Sequence, residues 1–192
     1  MQHKNSKPST CFSQGFTLME ILISIVIIAI GLLGMVGLQV TTLKNNNNSS
    51  MRTQATFLAE GMADRMRANR GALDPDGNSN FSDSTYVGED TNSVSNPGCI
   101  TTGCSSLALK NFDMFEWRYG TDLTNDKVDG VNSLPNGRGQ ISFVPNVAPN
   151  PPFENVFRIR IMWDDNRTGA TGTGCGTDKE VDLTCFDLEF RP

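Results

Sequence analysis

An uninterrupted apolar run near the N-terminus most constrains how this chain folds. The run extends from Ile21 to Leu38 without a proline or a charged residue. With the preceding Phe-Thr-Leu-Met it is long enough for a helix that spans a bilayer. The alternative is a buried core helix, but a helix that is apolar on every side is rare in soluble domains. The sequence therefore predicts a membrane-anchored protein.

The charges on either side of this run predict its orientation. Lys4 and Lys7 precede it, whereas residues 71–192 carry nine basic and eighteen acidic side chains. Because basic residues favour the cytoplasmic side, the leader is predicted to stay in the cytoplasm and the later part to lie across the membrane. No Ala-x-Ala site follows the run, so cleavage by an ordinary signal peptidase is not indicated. The acidic later part disfavours nucleic acid as a partner.

A single carboxylate, Glu20, stands directly before the apolar run. An ionised carboxylate costs on the order of 2–3 kcal/mol at the centre of a bilayer and less near its edge. Two interpretations are open. Either Glu20 extends to the cytoplasmic interface, or a cation in the assembled protein offsets the cost of burying it. Its position in the first helical turn suits an anion in both cases.

The stretch GFTLMEILISI, with the helix that follows to Leu38, resembles the class III signal of type IV pilins and pseudopilins. In that signal a basic leader ends in Gly, and Phe, Thr, a hydrophobic pair, Glu and a long apolar helix follow. The resemblance implies that a prepilin peptidase cuts between Gly15 and Phe16 and methylates the new amine of Phe16. It also implies that Glu20 neutralises the N-terminal amine of a neighbouring subunit during assembly.

Further stretches resemble PilV-type minor pilins, namely GLLGMVGLQ (Gly31–Gln39) and LAEGMADRMRAN (Leu58–Asn69). Those proteins often continue with a cysteine pair, a helix like Leu107–Arg118 and a strand that ends in Trp-Asp, as Phe157–Asp165 does. The resemblance implies a minor pilin of a type IV pilus, or fimbrium, that helps initiate assembly and supports adhesion and twitching motility. It places the chain in the inner membrane before assembly and at the cell surface afterwards. The implied partners are other minor pilins, the major pilin, prepilin peptidase and the inner-membrane assembly platform.

Other functions remain as alternatives. A pseudopilin of a type II secretion system shares the signal, and a tip adhesin or DNA-uptake pilin would bind an external ligand. A membrane-anchored enzyme is disfavoured because the only histidine, His3, lies in the leader, which removes Ser-His and Cys-His nucleophiles from a mature chain. The acid pair Asp164/Asp165 and the stretch Asp122–Gly130 are interpreted as solvated turns. No catalytic residue, cofactor or metal is expected.

The sequence predicts an α+β, pilin-like fold in four segments. They are a cleaved leader (1–15), the transmembrane and assembly half of a long helix (16–38), its amphipathic half (39–70) and a periplasmic or extracellular head (71–192). Glycines in the first half indicate either a soft segment or close helix packing. The Asn-rich stretch Lys44–Ser50 predicts a weak point or a break. The second half has apolar residues at helical spacing, which are Met51, Ala55, Leu58, Ala59, Met62, Ala63 and Met66.

The head is predicted to place a small antiparallel sheet on this helix. Strands are predicted over Gly139–Asn146, Asn155–Trp163 and Cys185–Phe190, because apolar and polar residues alternate there. Residues 72–98 are predicted to form an exposed loop region. Ser105 is expected to cap a helix with an apolar stripe, and Trp117 is expected at the edge of that stripe. The stripe consists of Ala108, Phe112, Phe115 and Tyr119.

Four cysteines remain after Cys11 is lost with the leader, namely Cys99, Cys104, Cys175 and Cys185. An even number on the oxidising side of a membrane favours two disulfides, for which three pairings are possible. Local bridges between the first two and between the last two are preferred. The second bridge would resemble the C-terminal disulfide loop of pilins. A zinc site is the alternative, although the spacings differ from those of CxxC sites.

Overall fold

The computed structural model describes residues 15–79, 81–88, 90–91, 94–100, 103–120, 129–144, 156–172, 174–178 and 181–192. The chain forms two compact units, Met1–Asn46 and Asn47–Pro192. Residues 1–14 of the leader, with His3 and Cys11, lie outside the described residues, as do the stretch 121–128 and the Pro-rich stretch 148–152. The fold is α+β.

The first unit contains the beginning of helix α1, which extends over Leu18–Ala68. Its residues from Leu18 to Asn46 are all exposed. Within the described residues, α1 is the one helix whose length and apolar composition would allow it to cross a membrane. An exposed apolar helix of this length requires a lipid or protein environment.

Helix α1 is continuous through the Asn-rich stretch Lys44–Ser50. The break considered there is therefore wrong. Each asparagine costs at most about 0.7 kcal/mol relative to alanine in a helix interior. That cost is too small to interrupt a helix whose hydrogen-bonded turns continue on both sides.

The part of α1 in the second unit buries the predicted apolar face. Met62 and Ala59 are fully buried, and Leu58 lies partly buried beside them. Small and flexible side chains alternate along this face, so the helix can approach the sheet closely. The buried residues of α1 are Met51, Ala55, Ala59, Met62, Ala63 and Met66.

The predicted antiparallel sheet is confirmed, with strand order β1-β2-β3. The strands are β1 (Arg138–Val144), β2 (Val156–Trp163) and β3 (Thr184–Phe190). The register places Ile141 opposite Ile159, and Ile159 opposite Leu188. Along β2, Phe157, Ile159, Ile161 and Trp163 are almost completely buried and face the core, as their alternation predicts.

The opposite face of the sheet carries a small satellite core at one end. Met162 points to this face, together with Arg158 and Arg160, but is only 3% exposed. It packs with Ala170 and Leu183 from the connection between β2 and β3. That connection therefore covers one end of the outer face, and the charged residues occupy the rest.

Residues 72–98 are not simply the exposed loop that their composition predicts. A short helix, α2 (Arg70–Leu73), buries Leu73, and Tyr86 is fully buried in the main core. Thr85 donates its backbone N–H and its hydroxyl to the Ala72 carbonyl. Polar residues flank Tyr86 in the sequence, so the local composition did not predict that Tyr86 belongs to the core.

Helix α3 (Ser106–Tyr119) begins where predicted, because the Ser105 side chain accepts a hydrogen bond from the Ala108 N–H. Its buried face differs from the predicted stripe. Trp117 and Met114 lie in the main core, whereas Phe115 and Tyr119 are half-exposed and pack on each other with ring centroids 5.0 Å apart. The expectation that Trp117 lies at the edge of the stripe is wrong. The buried face of α3 is determined by its large side chains and by polar side chains with hydrogen-bond partners, and not by the apolar spacing alone.

Candidate assembly site and the head that it carries

The candidate site lies at the start of α1. Gly15, Phe16 and Thr17 precede the helix in a non-helical conformation, and Phe16 is 80% exposed. The Thr17 hydroxyl accepts a hydrogen bond from the Glu20 N–H at 3.3 Å, which makes Thr17 the N-cap. Glu20 therefore lies in the first turn, where the partial positive charge of the helix end favours a carboxylate.

The three predicted residues lie within six consecutive positions at the start of α1, with Gly15 and Phe16 before the helix and Glu20 in its first turn. Glu20 is exposed, and from Ile21 to Leu43 no charged residue follows it in the sequence. The Gly15–Phe16 peptide bond lies before the helix, and both residues are exposed. An amine at Phe16 would lie four residues from Glu20 along its own chain and would be open to another chain.

In the second unit, two disulfide bonds close loops of the head. Cys99 is bonded to Cys104, with Cα atoms 5.4 Å apart, and Cys175 is bonded to Cys185, with Cα atoms 5.5 Å apart. These are the two local pairs preferred in the sequence analysis. With all four sulfurs in disulfides, no thiolate remains there for zinc. Within the described ranges, no group of three or more His, Cys, Asp or Glu side chains is placed to hold a metal ion.

Loss of the Cys175–Cys185 bond is expected to destabilise the head more than loss of Cys99–Cys104. The bonds close sequence separations of 10 and 5 residues, and Cys185 also lies against the satellite core of Met162. Chain entropy predicts a loss of about 2–3 kcal/mol for the longer loop and about 2 kcal/mol for the shorter. Urea unfolding of the full chain in detergent, with paired Cys→Ser variants, measures both. A larger loss from the Cys99/Cys104 variant would contradict the expectation.

A buried polar network joins α1 to α3. Arg65 donates to Glu116 and, at 3.3 Å, to Oδ1 of Asp113. The Tyr86 hydroxyl donates to Oδ2 of Asp113, and the Asn69 amide donates to the Tyr86 oxygen, both at 3.2 Å. Burial raises the pKa of the Asp113 carboxyl, an effect that the Arg65 guanidinium opposes. No local pattern in the sequence indicates this network, because its members come from three separate segments.

The acid pair Asp164/Asp165 lies at a turn, as predicted, and Asp165 is half-exposed, but Asp164 is not solvated. The Asp164 carboxylate is 4% exposed and accepts the Gly169 N–H at 2.8 Å. Burial alone would raise the pKa of Asp164, but hydrogen bonds from backbone N–H groups of residues 167–170 outweigh it and lower the pKa. Asp164 therefore shapes the turn after β2. The stretch Asp122–Gly130 is described only from Asp129 onward.

Two family models match adjacent parts of the chain. The model described as type IV pilin Tt1218 matches residues 37–115, and the prokaryotic N-terminal methylation motif matches residues 12–36. Together the matches cover more than half of the sequence. No curated protein and no solved structure matches the chain significantly. The two adjacent matches, with a long apolar helix packed on a three-stranded antiparallel sheet and two disulfides, support the assignment of this chain to the type IV pilin superfamily.

Proposed function

We propose that this protein is a minor pilin, a non-catalytic subunit that helps to initiate and modulate a type IV pilus. The observation that carries the proposal is the start of α1, where Gly15 and Phe16 precede an exposed apolar helix and Glu20 lies in its first turn. The methylation-motif match over residues 12–36 and the pilin match over residues 37–115 support a pilin subunit. The minor role rests on the resemblance to PilV-type pilins.

Processing creates the assembling form. Prepilin peptidase cuts between Gly15 and Phe16 on the cytoplasmic side and methylates the amine of Phe16. Gly15 suits this position because it presents no side chain beside the scissile bond and lies outside the helix. The new N-terminus keeps its positive charge after methylation, so it remains a partner for a carboxylate.

Glu20 then sets the axial register between subunits. In the bilayer its carboxylate has a free-energy cost on the order of 2–3 kcal/mol at most. Docking beside the cationic amine of a neighbouring Phe16-type terminus offsets that cost and favours one axial position over others. The apolar face of α1 supplies the rest of the contact by packing against neighbouring helices, and its glycines permit close approach.

The proposed topology follows from charge and redox chemistry. The leader (1–15), with Lys4 and Lys7, stays in the cytoplasm, residues 16–38 span the inner membrane, and the head (71–192) lies in the periplasm before assembly. Disulfides persist on that side of the membrane. The proposed partners are the major pilin, other minor pilins, prepilin peptidase and the assembly platform, and the mature filament carries the head at the cell surface.

The test compares Glu20→Ala, Glu20→Gln, Glu20→Asp and a deletion in cells that make pili. We expect the Ala and Gln variants to lose pili like the deletion, because both lack the charge, whereas Asp retains part of the yield. Mass spectrometry should show each chain beginning at methylated Phe16, which separates assembly from processing. Normal piliation of Glu20→Gln would show that the charge is dispensable.

The deletion distinguishes the remaining candidates. A strain that keeps its pili but loses secretion of exoproteins would identify a pseudopilin of a type II secretion system. Normal pili and normal secretion, with loss of surface attachment or DNA uptake, would identify a tip adhesin or DNA-uptake pilin. Either result would replace the proposed minor-pilin role.

A further inference from the structure

An exposed aromatic side chain lies on α1 in the second unit. Phe57 is 68% exposed, whereas the other described aromatic residues of this unit are buried or half-buried. It points away from the apolar face that packs on the sheet. A single exposed apolar residue is common in proteins. Phe57 therefore needs a second, independent feature before it indicates an interface.

Gly61 supplies that feature one helical turn later. Residues four apart share a helix face, so Gly61 lies beside Phe57. A Cβ built on Gly61 meets no atom within 4 Å outside its own helical turn. Glycine lowers helix stability relative to alanine, yet nothing among the described residues requires a missing side chain here. The helix surface beside Phe57 is therefore open to an approach from outside the molecule.

A groove runs along the same side of α1. Two open cavities of about 550 and 240 Å³ share Phe57, Leu58 and Asp129 in their walls. Met62 and Trp117 add apolar surface to the smaller one. We call this feature the Phe57–Gly61 groove. It combines an aromatic wall, an apolar floor and an open notch at the glycine.

The charge at the rim of the groove indicates what would bind there. Asp129 is exposed and forms no ion pair with any residue that the structure describes. Glu116, also in the wall, is already paired with Arg65. The groove therefore offers one unneutralised carboxylate next to apolar surface. A complementary segment would carry a lysine or arginine beside an apolar side chain.

We infer that the Phe57–Gly61 groove is the docking site for the head of a neighbouring pilin subunit. That subunit places an apolar side chain over Gly61, against Phe57, and directs a basic side chain to Asp129. The inference rests on the proposed function, because pilin subunits are the chains packed beside this one in a filament. It assigns the second unit its own contact surface, separate from Glu20 and residues 16–38.

The size of residue 61 provides the first test. We expect Gly61→Ala to raise the Tm of the purified full chain by about 2–4 °C, because alanine favours the helix. Gly61→Leu should fold equally well but reduce incorporation into sheared pili at least about fivefold, because it overpacks the interface. Ser49→Leu is the matched control, since it adds bulk at an exposed position on a different side of α1 and outside the groove. It should incorporate like wild type.

The outcomes separate this inference from the proposed function. If the deletion strain loses its pili but Gly61→Leu is incorporated like Ser49→Leu, the docking site is wrong and the minor-pilin role stands. If the deletion strain keeps its pili, the proposed function fails first and the docking inference fails with it. Reduced incorporation of Gly61→Leu with an unchanged or raised Tm supports the inference.

A photo-crosslinking residue at Phe57 provides the second test in intact piliated cells. We expect adducts with a pilin subunit, at a peptide that contains a lysine or arginine. Asp129→Asn should lower their yield several-fold. Asparagine tolerates the positive φ of +68° at this position, so the substitution removes charge without straining the turn. Adducts only with lipid, or only with residues 121–128 of the same chain, would overturn the inference.

Discussion

Gly139→Ala is expected to destabilise the head by about 3 kcal/mol, at the upper end of what overpacking costs. A Cβ on Gly139 would lie 2.5 Å from Cη2 and 2.6 Å from Cζ3 of Trp117. The indole cannot retreat easily, because its Nε1 donates to the Leu58 carbonyl of α1 at 3.0 Å and the ring lies in the main core. The substitution therefore forces β1 away from α3. Urea unfolding of the full chain in detergent measures the loss.

Two further variants make this prediction specific. Trp117→Phe shortens the ring, so it should restore part of the stability of Gly139→Ala and show non-additive coupling in a double-mutant cycle. Gly103→Ala is the matched control, because a Cβ there meets no atom within 4 Å. Its effect should stay within about 0.5 kcal/mol. A Gly139→Ala protein that unfolds at the wild-type urea concentration would refute the packing argument.

Arg65→Met is expected to cost about 3 kcal/mol at neutral pH. It leaves the carboxylates of Asp113 and Glu116 without their cation, although only 8% and 11% of their side-chain surfaces are exposed. Removing one partner of a buried ion pair typically costs 3–5 kcal/mol. We take the lower value because the Arg65 side chain is itself 38% exposed. Arg52→Met, at an exposed site of the same helix, should change stability by less than about 0.5 kcal/mol.

The pH dependence of Arg65→Met provides an independent check. Burial already raises the pKa of Asp113 in the folded protein, and Arg65 opposes that rise. A raised folded pKa contributes stability below the unfolded pKa of about 4, and this stability is lost as the pH rises through the folded pKa. Without Arg65 the folded pKa rises further. The deficit relative to wild type should therefore be small near pH 4 and grow towards pH 7. A pH-independent deficit would point to lost packing instead.

Much of the fold is predictable from the sequence where the periodicity is local. The alternation of Phe157, Ile159 and Ile161 predicts both strand β2 and its buried face, because side chains alternate across a strand. The apolar stripe from Met51 to Met66 likewise predicts the contact of α1 with the sheet. These predictions succeed because each element buries only one face, so burial follows the local repeat of the sequence.

The predictions from the sequence were wrong where contacts between distant segments determine which residues are buried. Asp113 and Lys110 lie on the buried side of α3, while Phe115 remains half-exposed. No local period predicts this, since Asp113 is tolerated only because Arg65 and Tyr86 reach it from elsewhere in the chain. Asp164 is a different case, because its hydrogen-bond partners are backbone N–H groups of the turn that directly follows it, and composition alone does not indicate them.

The same contrast separates the start of α1, which is local in the sequence, from the Phe57–Gly61 groove, which is not. Gly15, Phe16 and Glu20 form a local motif, so their proximity follows from their spacing within six consecutive residues. The Phe57–Gly61 groove depends on where Trp117 and Asp129 come to lie beside α1. The sequence shows a phenylalanine and a glycine four residues apart, but not the cavity beside them.

The charged outer face of the sheet has a consequence for the accuracy of folding. Arg160 donates to both carboxylate oxygens of Asp187 at 2.7 Å, and Arg158 donates to Glu189 at 2.7 and 3.0 Å. A one-residue misalignment of β2 and β3 would turn an arginine into the core. A two-residue misalignment in one direction would set Arg158 opposite Arg191. Each of these surface pairs contributes little to net stability. Because a misaligned sheet loses them, they favour the correct alignment of β2 and β3 over wrongly paired, aggregation-prone intermediates.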